Sequence, residues 1–148
     1  MKPTANKVRL CITLLIINLL FIWGNSLLPG TVSGALSSWL KELLSKLLGI
    51  VPSDPDTGHG LLRKLAHFTE FACLGVLLTW LVSMIRKGKC LVPAGGLLVA
   101  GVDELIQRFV PGRHAALTDV LIDMVGVLVG MGVLCLWIAR NTGKKNQP

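Results

Sequence analysis

Residues Asp103–Asp123 read DELIQRFVPGRHAALTDVLID, and this polar stretch decides how the chain is organised. Apolar runs at 91–101 and 125–138 enclose it. Its acids therefore sit at the inner edges of two predicted membrane helices, joined by the turn VPGRH at 110–114. An ionisable side chain at such a depth is costly, and its default reading is functional. The pattern recurs at Arg63–Phe71, RKLAHFTEF, where another apolar run begins. The two stretches are expected to meet and make one site.

Composition agrees with a membrane protein. The 148 residues are 52% hydrophobic and only 16% charged, with a mean hydropathy of +0.66, unlike a soluble domain. A net charge of +7 raises the question of nucleic acid, but such binders gather their basic residues on one surface. Here the basic residues flank apolar runs instead, so no nucleic-acid partner is expected. The four cysteines (Cys11, Cys73, Cys90, Cys135) show no CxxC spacing. They suggest neither a disulfide framework nor a zinc site, and are expected to be buried as small hydrophobes.

The chain reads as a single membrane domain over 1–148, an all-α integral membrane four-helix bundle. Spans are predicted at about 8–28, 61–85, 91–109 and 117–138, each long enough to cross a bilayer. The first is taken as an uncleaved helix rather than a signal peptide, because its apolar run is long and no clean cleavage site follows. Asn18 within it is expected to hydrogen-bond between helices. Between the first two spans, apolar residues at 32, 36, 39, 40, 43, 44, 47 and 48 form the stripe of an amphipathic helix over 32–48. Trp39 and the lysines suit a helix at the lipid interface; packing on the other spans gives the same periodicity. DPDTGHG (54–60) reads as a loop. In the fourth span Gly126, Gly130 and Gly132 permit close helix contact.

Orientation follows from the basic residues. With the N-terminus inside, Lys2, Lys7, Arg9, Arg86, Lys87, Lys89, Arg140, Lys144 and Lys145 are cytoplasmic. Lys41, Lys46, Arg63, Lys64, Arg108 and Arg113 are then outside, four of them in the polar motifs. Both termini are expected in the cytoplasm.

At about 1.5 Å of rise per residue, the acids of the second, third and fourth spans come to one depth on one side. His67, Glu70, Asp103, Glu104 and Asp119 are the candidate catalytic residues. Lys64, Gln107, Arg113 and Asp123 are candidate binding residues, with Arg63, Lys64, Arg108 and Arg113 rimming the cluster. Lys64, His67 and Glu70 share a helical face, and Asp103/Gln107 and Asp119/Asp123 are i, i+4 pairs. Buried acids must be neutralised, paired with bases or bound to a metal. His67 with Glu70 is a weak metal pattern without a second histidine at fixed spacing; His59 and His114 are possible helpers. No metal or cofactor is assigned. A structural ion-pair network is the plain alternative, and for rim arginines so is anchoring at headgroups rather than gripping a ligand's phosphate or carboxylate.

Lys64-Leu-Ala-His67-Phe-Thr-Glu70-Phe-Ala-Cys-Leu74-Gly75 resembles the first motif of the VanZ-like family. Asp103-Glu104-x-x-Gln107-x-Phe109-x-Pro111-Gly112-Arg113, then Asp119-Val120 and Gly126-x-x-x-Gly130, resembles its second. The likeness covers about 60–130. Phe71, Ala116 and Asp123 depart from it, standing where tyrosine, a small hydroxyl residue and asparagine are common. The resemblance implies a bacterial inner-membrane protein whose outer face affects a cell-wall precursor, or a lipoglycopeptide beside it, as in accessory resistance to teicoplanin. Three functions are therefore expected to compete. The first is a non-enzymatic resistance accessory. The second is a membrane-embedded hydrolase or transferase acting on a membrane lipid or lipid-linked cell-envelope substrate. The third is a small transporter, ranked last because acids confined to the outer half leave no path across.

Overall fold

A computed structural model describes residues 4–48, 58–113 and 116–144. These residues form five helices and no strand. They are α1 (Ala5–Ser26), α2 (Gly30–Leu48), α3 (Gly58–Met84), α4 (Leu91–Phe109) and α5 (Leu117–Lys144). The all-helical reading therefore holds. Three helices are long and apolar enough to cross a membrane: α1, most of α3 and most of α5. α4 has 19 residues, enough to span, but carries Asp103, Glu104 and Arg108 among them.

The outer surface shows why these helices need an apolar solvent. Leu20, Phe21, Leu98, Leu121, Leu136 and Trp137 are all exposed by more than 60%. The buried set includes Asp103, Asp123, Gln107, His67 and Glu70. An apolar exterior around an interior that holds charged side chains beside its apolar core differs from a water-soluble helical protein, whose charged face turns outward. The chain is a membrane protein in its construction.

α3 and α5 make the central pair, with α1 and α4 packed against them. Glycine lets the two backbones approach. A side chain at Gly130 would meet the Ala72 carbonyl oxygen at 2.0 Å, and one at Gly126 the Phe68 oxygen at 2.6 Å. Val127 lies between them in sequence and wedges between Gly75 of α3 and Gly96 of α4. This is the small-residue packing of membrane helices, where close backbone contact replaces the hydrophobic drive. Gly132 does not take part: nothing lies within 4 Å of the position its side chain would occupy. Its place on the helix turns it away from α3.

On α4, Val92, Gly96, Val99, Ala100, Asp103 and Gln107 are buried in one stripe. The two polar residues continue the face that packs the helix, so they enter the interior with it. α1 buries Cys11, Leu15, Ile22 and Ser26, again with a polar residue at one end.

Three other expectations change. The predicted loop at 54–60 is partly helical, since α3 starts at Gly58; residues 54–57 lie outside the described set. Of the cysteines only Cys11 is buried, while Cys73 and Cys90 are exposed. Cys73 faces outward on α3, and Cys90 lies in the turn before α4, so neither is a packed core thiol. The amphipathic helix starts two residues earlier than its apolar stripe. Ser33 is buried in its first turn, but Val32, Leu36, Trp39 and Leu43 are exposed. These four side chains are turned to the surroundings, while α2 packs against α3.

Candidate functional site

Alternating helix directions bring four ends together. α1 and α4 finish here, and α3 and α5 start here, so each delivers polar residues from its terminal turns to one end of the bundle. The loop ends are tied as well. Gly30 donates its backbone N–H to the Pro111 oxygen at 3.1 Å. A side chain on Gly30 would run into the Gly112 oxygen, and Gly112 itself has a φ of +73°, which glycine adopts without strain.

Arg113 completes that tie. Its Nε donates to the Leu28 oxygen at 3.1 Å and its Nη2 to the Asn25 oxygen at 2.9 Å. These carbonyls lie at and just beyond the end of α1, where a helix runs out of its own N–H donors. Arg113 is therefore buried, not on the rim: its planar donor fork spans the two carbonyls, of which that of Asn25 also accepts the Leu28 backbone N–H at 3.2 Å. Burial first, and then the charge of Arg63, lower its pKa from its ordinary value.

Inside the end of the bundle, Asp103 is fully buried. Gln107 donates to its Oδ2 at 2.7 Å, with the same nitrogen 3.2 Å from Ser26 Oγ. One turn of α4 thus fixes the carboxylate, and α1 steadies the amide that fixes it. His67 Nδ1 lies 3.8 Å from Asp103 Oδ2, beyond hydrogen-bond distance. Glu70 is also buried, and its Oε1 accepts from Asn25 Nδ2 at 2.9 Å. Asn18 Nδ2 reaches the Glu70 backbone oxygen at 3.4 Å, so Asn18 bonds between helices as expected. Asp123 is 2% exposed and comes from α5.

Several buried atoms have no hydrogen-bond partner among the described residues: His67 Nδ1, Glu70 Oε2, Asp103 Oδ1, Asp123 Oδ1 and Arg113 Nη1. Native interiors leave few such atoms, and each calls for an explanation. One donor atom from each of His67, Asp103 and Asp123 lies within 4.8 Å of the other two. A small, partly open cleft borders His67 and Asp123, lined also by Arg63, Lys64, Asp119 and Ile122.

The sequence candidates thus divide. His67, Glu70, Asp103, Gln107 and Asp123 converge in the interior. Asp119 and the exposed Lys64 stand at the cleft. Glu104 is half-buried, and its Oε1 accepts the Ala116 backbone N–H, which pins the start of α5. Arg108 is exposed and is not among the cleft-lining residues. His114 lies outside the described residues, as does the side chain of His59. Sequence reasoning missed Asn25 and Ser26. Their signal was present, since two adjacent polar residues close a largely apolar helix.

A family model described as VanZ/LLP1 matches residues 9–138. The chain belongs to the VanZ/LLP1 family. The matched segment includes every side chain of the interior site, with Asn25 and Ser26 among them, and both VanZ-like motifs. The first motif supplies His67 and Glu70; the second supplies Asp103, Gln107 and Arg113. No curated protein matches the chain significantly, and neither does a solved structure.

Proposed function

We propose that this VanZ-family chain is a multi-pass protein of the bacterial cytoplasmic membrane, with four spans and both termini in the cytoplasm. Its polar site then faces the outer leaflet. There it acts as an accessory in resistance to lipid-anchored glycopeptides, teicoplanin above all. The ligand in this reading is a lipid-linked cell-wall precursor, a membrane lipid or the lipoglycopeptide itself. The observation that carries it is the cleft between Arg63, Lys64, Asp119 and Asp123, which offers cations and carboxylates at the membrane end opposite the basic segments. The exposed Val32, Leu36, Trp39 and Leu43 of α2 support an interfacial helix.

The test is expression in a teicoplanin-sensitive Gram-positive host. Inhibitory concentrations of teicoplanin and vancomycin are compared for the wild type, Asp103→Asn and Asp119→Asn at matched membrane levels. Protection by the wild type and its loss in the variants supports the reading. No protection by the wild type overturns it.

A second reading is favoured by the unpartnered carboxylate oxygens of Asp103 and Asp123. Buried acids beside a cleft suit a hydrolase or transferase acting on a lipid-linked substrate. Asp103 and Asp119 remain candidates for that role, whereas the bond from Ala116 occupies one oxygen of Glu104. Altered membrane lipids or wall precursors in the expressing strain distinguish this reading from a passive accessory.

A further inference from the structure

We infer that His67, Asp103 and Asp123 form a binding site for one first-row divalent cation, of the zinc or manganese type. The inference deepens the proposed function, because it rests on the same outer polar site, but it does not depend on resistance.

Three observations meet at this point. First, the donors converge: one ligand atom of each residue lies within 4.8 Å of the others, and the residues come from three different helices. Tetrahedral donors at zinc bond lengths are about 3.4 Å apart, so closing the trio on a cation takes side-chain shifts of about 1 Å. Second, each of the three residues has a spare donor atom. His67 Nδ1, Asp103 Oδ1 and Asp123 Oδ1 are buried and lack a hydrogen-bond partner among the described residues. Their side chains are 6%, 0% and 2% exposed. Third, among the described residues neither aspartate has a lysine or arginine in an ion pair with it. Arg113 directs Nε and Nη2 to backbone carbonyls instead, and the only contact of Asp103 with a basic group among the described ion pairs is the 3.8 Å approach of His67. A divalent cation neutralises two buried carboxylates where no side chain does.

The surroundings suit a metal too. Gln107 holds Asp103 Oδ2 at 2.7 Å and leaves Oδ1 free, an outer contact of the kind that orients a ligating carboxylate. An imidazole with two carboxylates favours zinc or manganese over magnesium and calcium, which prefer oxygen alone. His67 and Asp123 both line the cleft, a space of about 10 Å³, so two of the three ligands border it. Three protein ligands leave a coordination position open, as catalytic metal sites do.

The full chain, purified in detergent with any tag removed, is stripped with EDTA and titrated with Co²⁺, then with Zn²⁺ as competitor. The expected result is one Co²⁺ per chain with visible d–d bands, no thiolate charge-transfer band, displacement by Zn²⁺, and a raised Tm with either ion. His67→Gln, Asp103→Asn and Asp123→Asn should each weaken binding by about tenfold or more, while Glu42→Gln on the exposed face of α2 should not. If any of the three variants fails to fold, the wild-type titration still decides. A wild type that neither takes up a stoichiometric ion nor gains Tm overturns the inference, as does binding that survives in all folded variants of the trio. If the chain binds no ion but confers teicoplanin protection that Asp103→Asn loses, the cation site fails and the proposed function stands.

Discussion

Gly130 of α5 sits so close to Ala72 of α3 that a single methyl group at 130 would lie 2.0 Å from the Ala72 carbonyl oxygen. Gly126 makes the same approach to Phe68 one turn earlier. The pair sets the spacing of the two central helices, and with it the distance between Asp123, one turn before Gly126, and His67, beside Phe68. The packing of apolar faces thus positions the polar site.

Gly126→Val and Gly130→Val are expected to force these backbones apart. The overlap is with backbone atoms, so no side chain can yield to relieve it. Overpacking of this kind costs about 3 kcal/mol or more. Gly132→Ala, with open space around it, should be neutral or slightly stabilising. Thermal unfolding of the purified variants in one detergent checks both. Equal behaviour of positions 130 and 132 would contradict the helix pairing described above.

Asn25 and Glu70 join α1 to α3 through a 2.9 Å hydrogen bond. Removing the donor with Asn25→Ala leaves both Glu70 oxygens without a described partner, since Oε2 already has none. Hydrogen bonds between membrane helices contribute about 0.6–1.7 kcal/mol, and a loss at the upper end is expected here. Glu70→Gln keeps an acceptor oxygen and should cost less. A double-mutant cycle on equilibrium unfolding measures the coupling, and a value near zero would show that the contact does not stabilise the site.

Arg113→Lys keeps the charge and loses the fork. Two directed bonds to the carbonyls of Leu28 and Asn25 cannot both be rebuilt by an ammonium at the same place. Hydrogen bonds to charged groups are each worth about 1.5–3 kcal/mol, so the variant should lose about 2 kcal/mol or more. Protease sensitivity should rise at the corner between α1 and α2, which this side chain ties to the turn after α4. A lysine variant as stable and as protected as the wild type would return Arg113 to the role of a surface anchor.

Much of the site was legible before any coordinates. His67 and Glu70 are three residues apart, and Asp103 and Gln107 four apart, so helical periodicity alone puts each pair on one face. Counting residues inward from the ends of apolar runs brought the acids to one depth, because rise per residue in a helix is constant. The family motifs stood in those same stretches. Arg113 was misread because exposure of a turn residue depends on what folds against the turn, and that is α1, some 85 residues away in the chain. Asn25 and Ser26 escaped notice for the same reason: nothing local says which acid a lone polar residue will meet.

By itself, then, the sequence determined the helices, the membrane as their solvent and the end of the bundle at which charge collects, all of which follow from hydropathy and periodicity along a single segment. Only the tertiary structure decided that His67, Asp103 and Asp123 share one buried point, that Gln107 orients Asp103, and that Val32, Leu36, Trp39 and Leu43 of α2 stay uncovered. Those are relations between segments distant in the chain, set by glycine contacts that fix how far apart two helices stand and which faces they turn to each other.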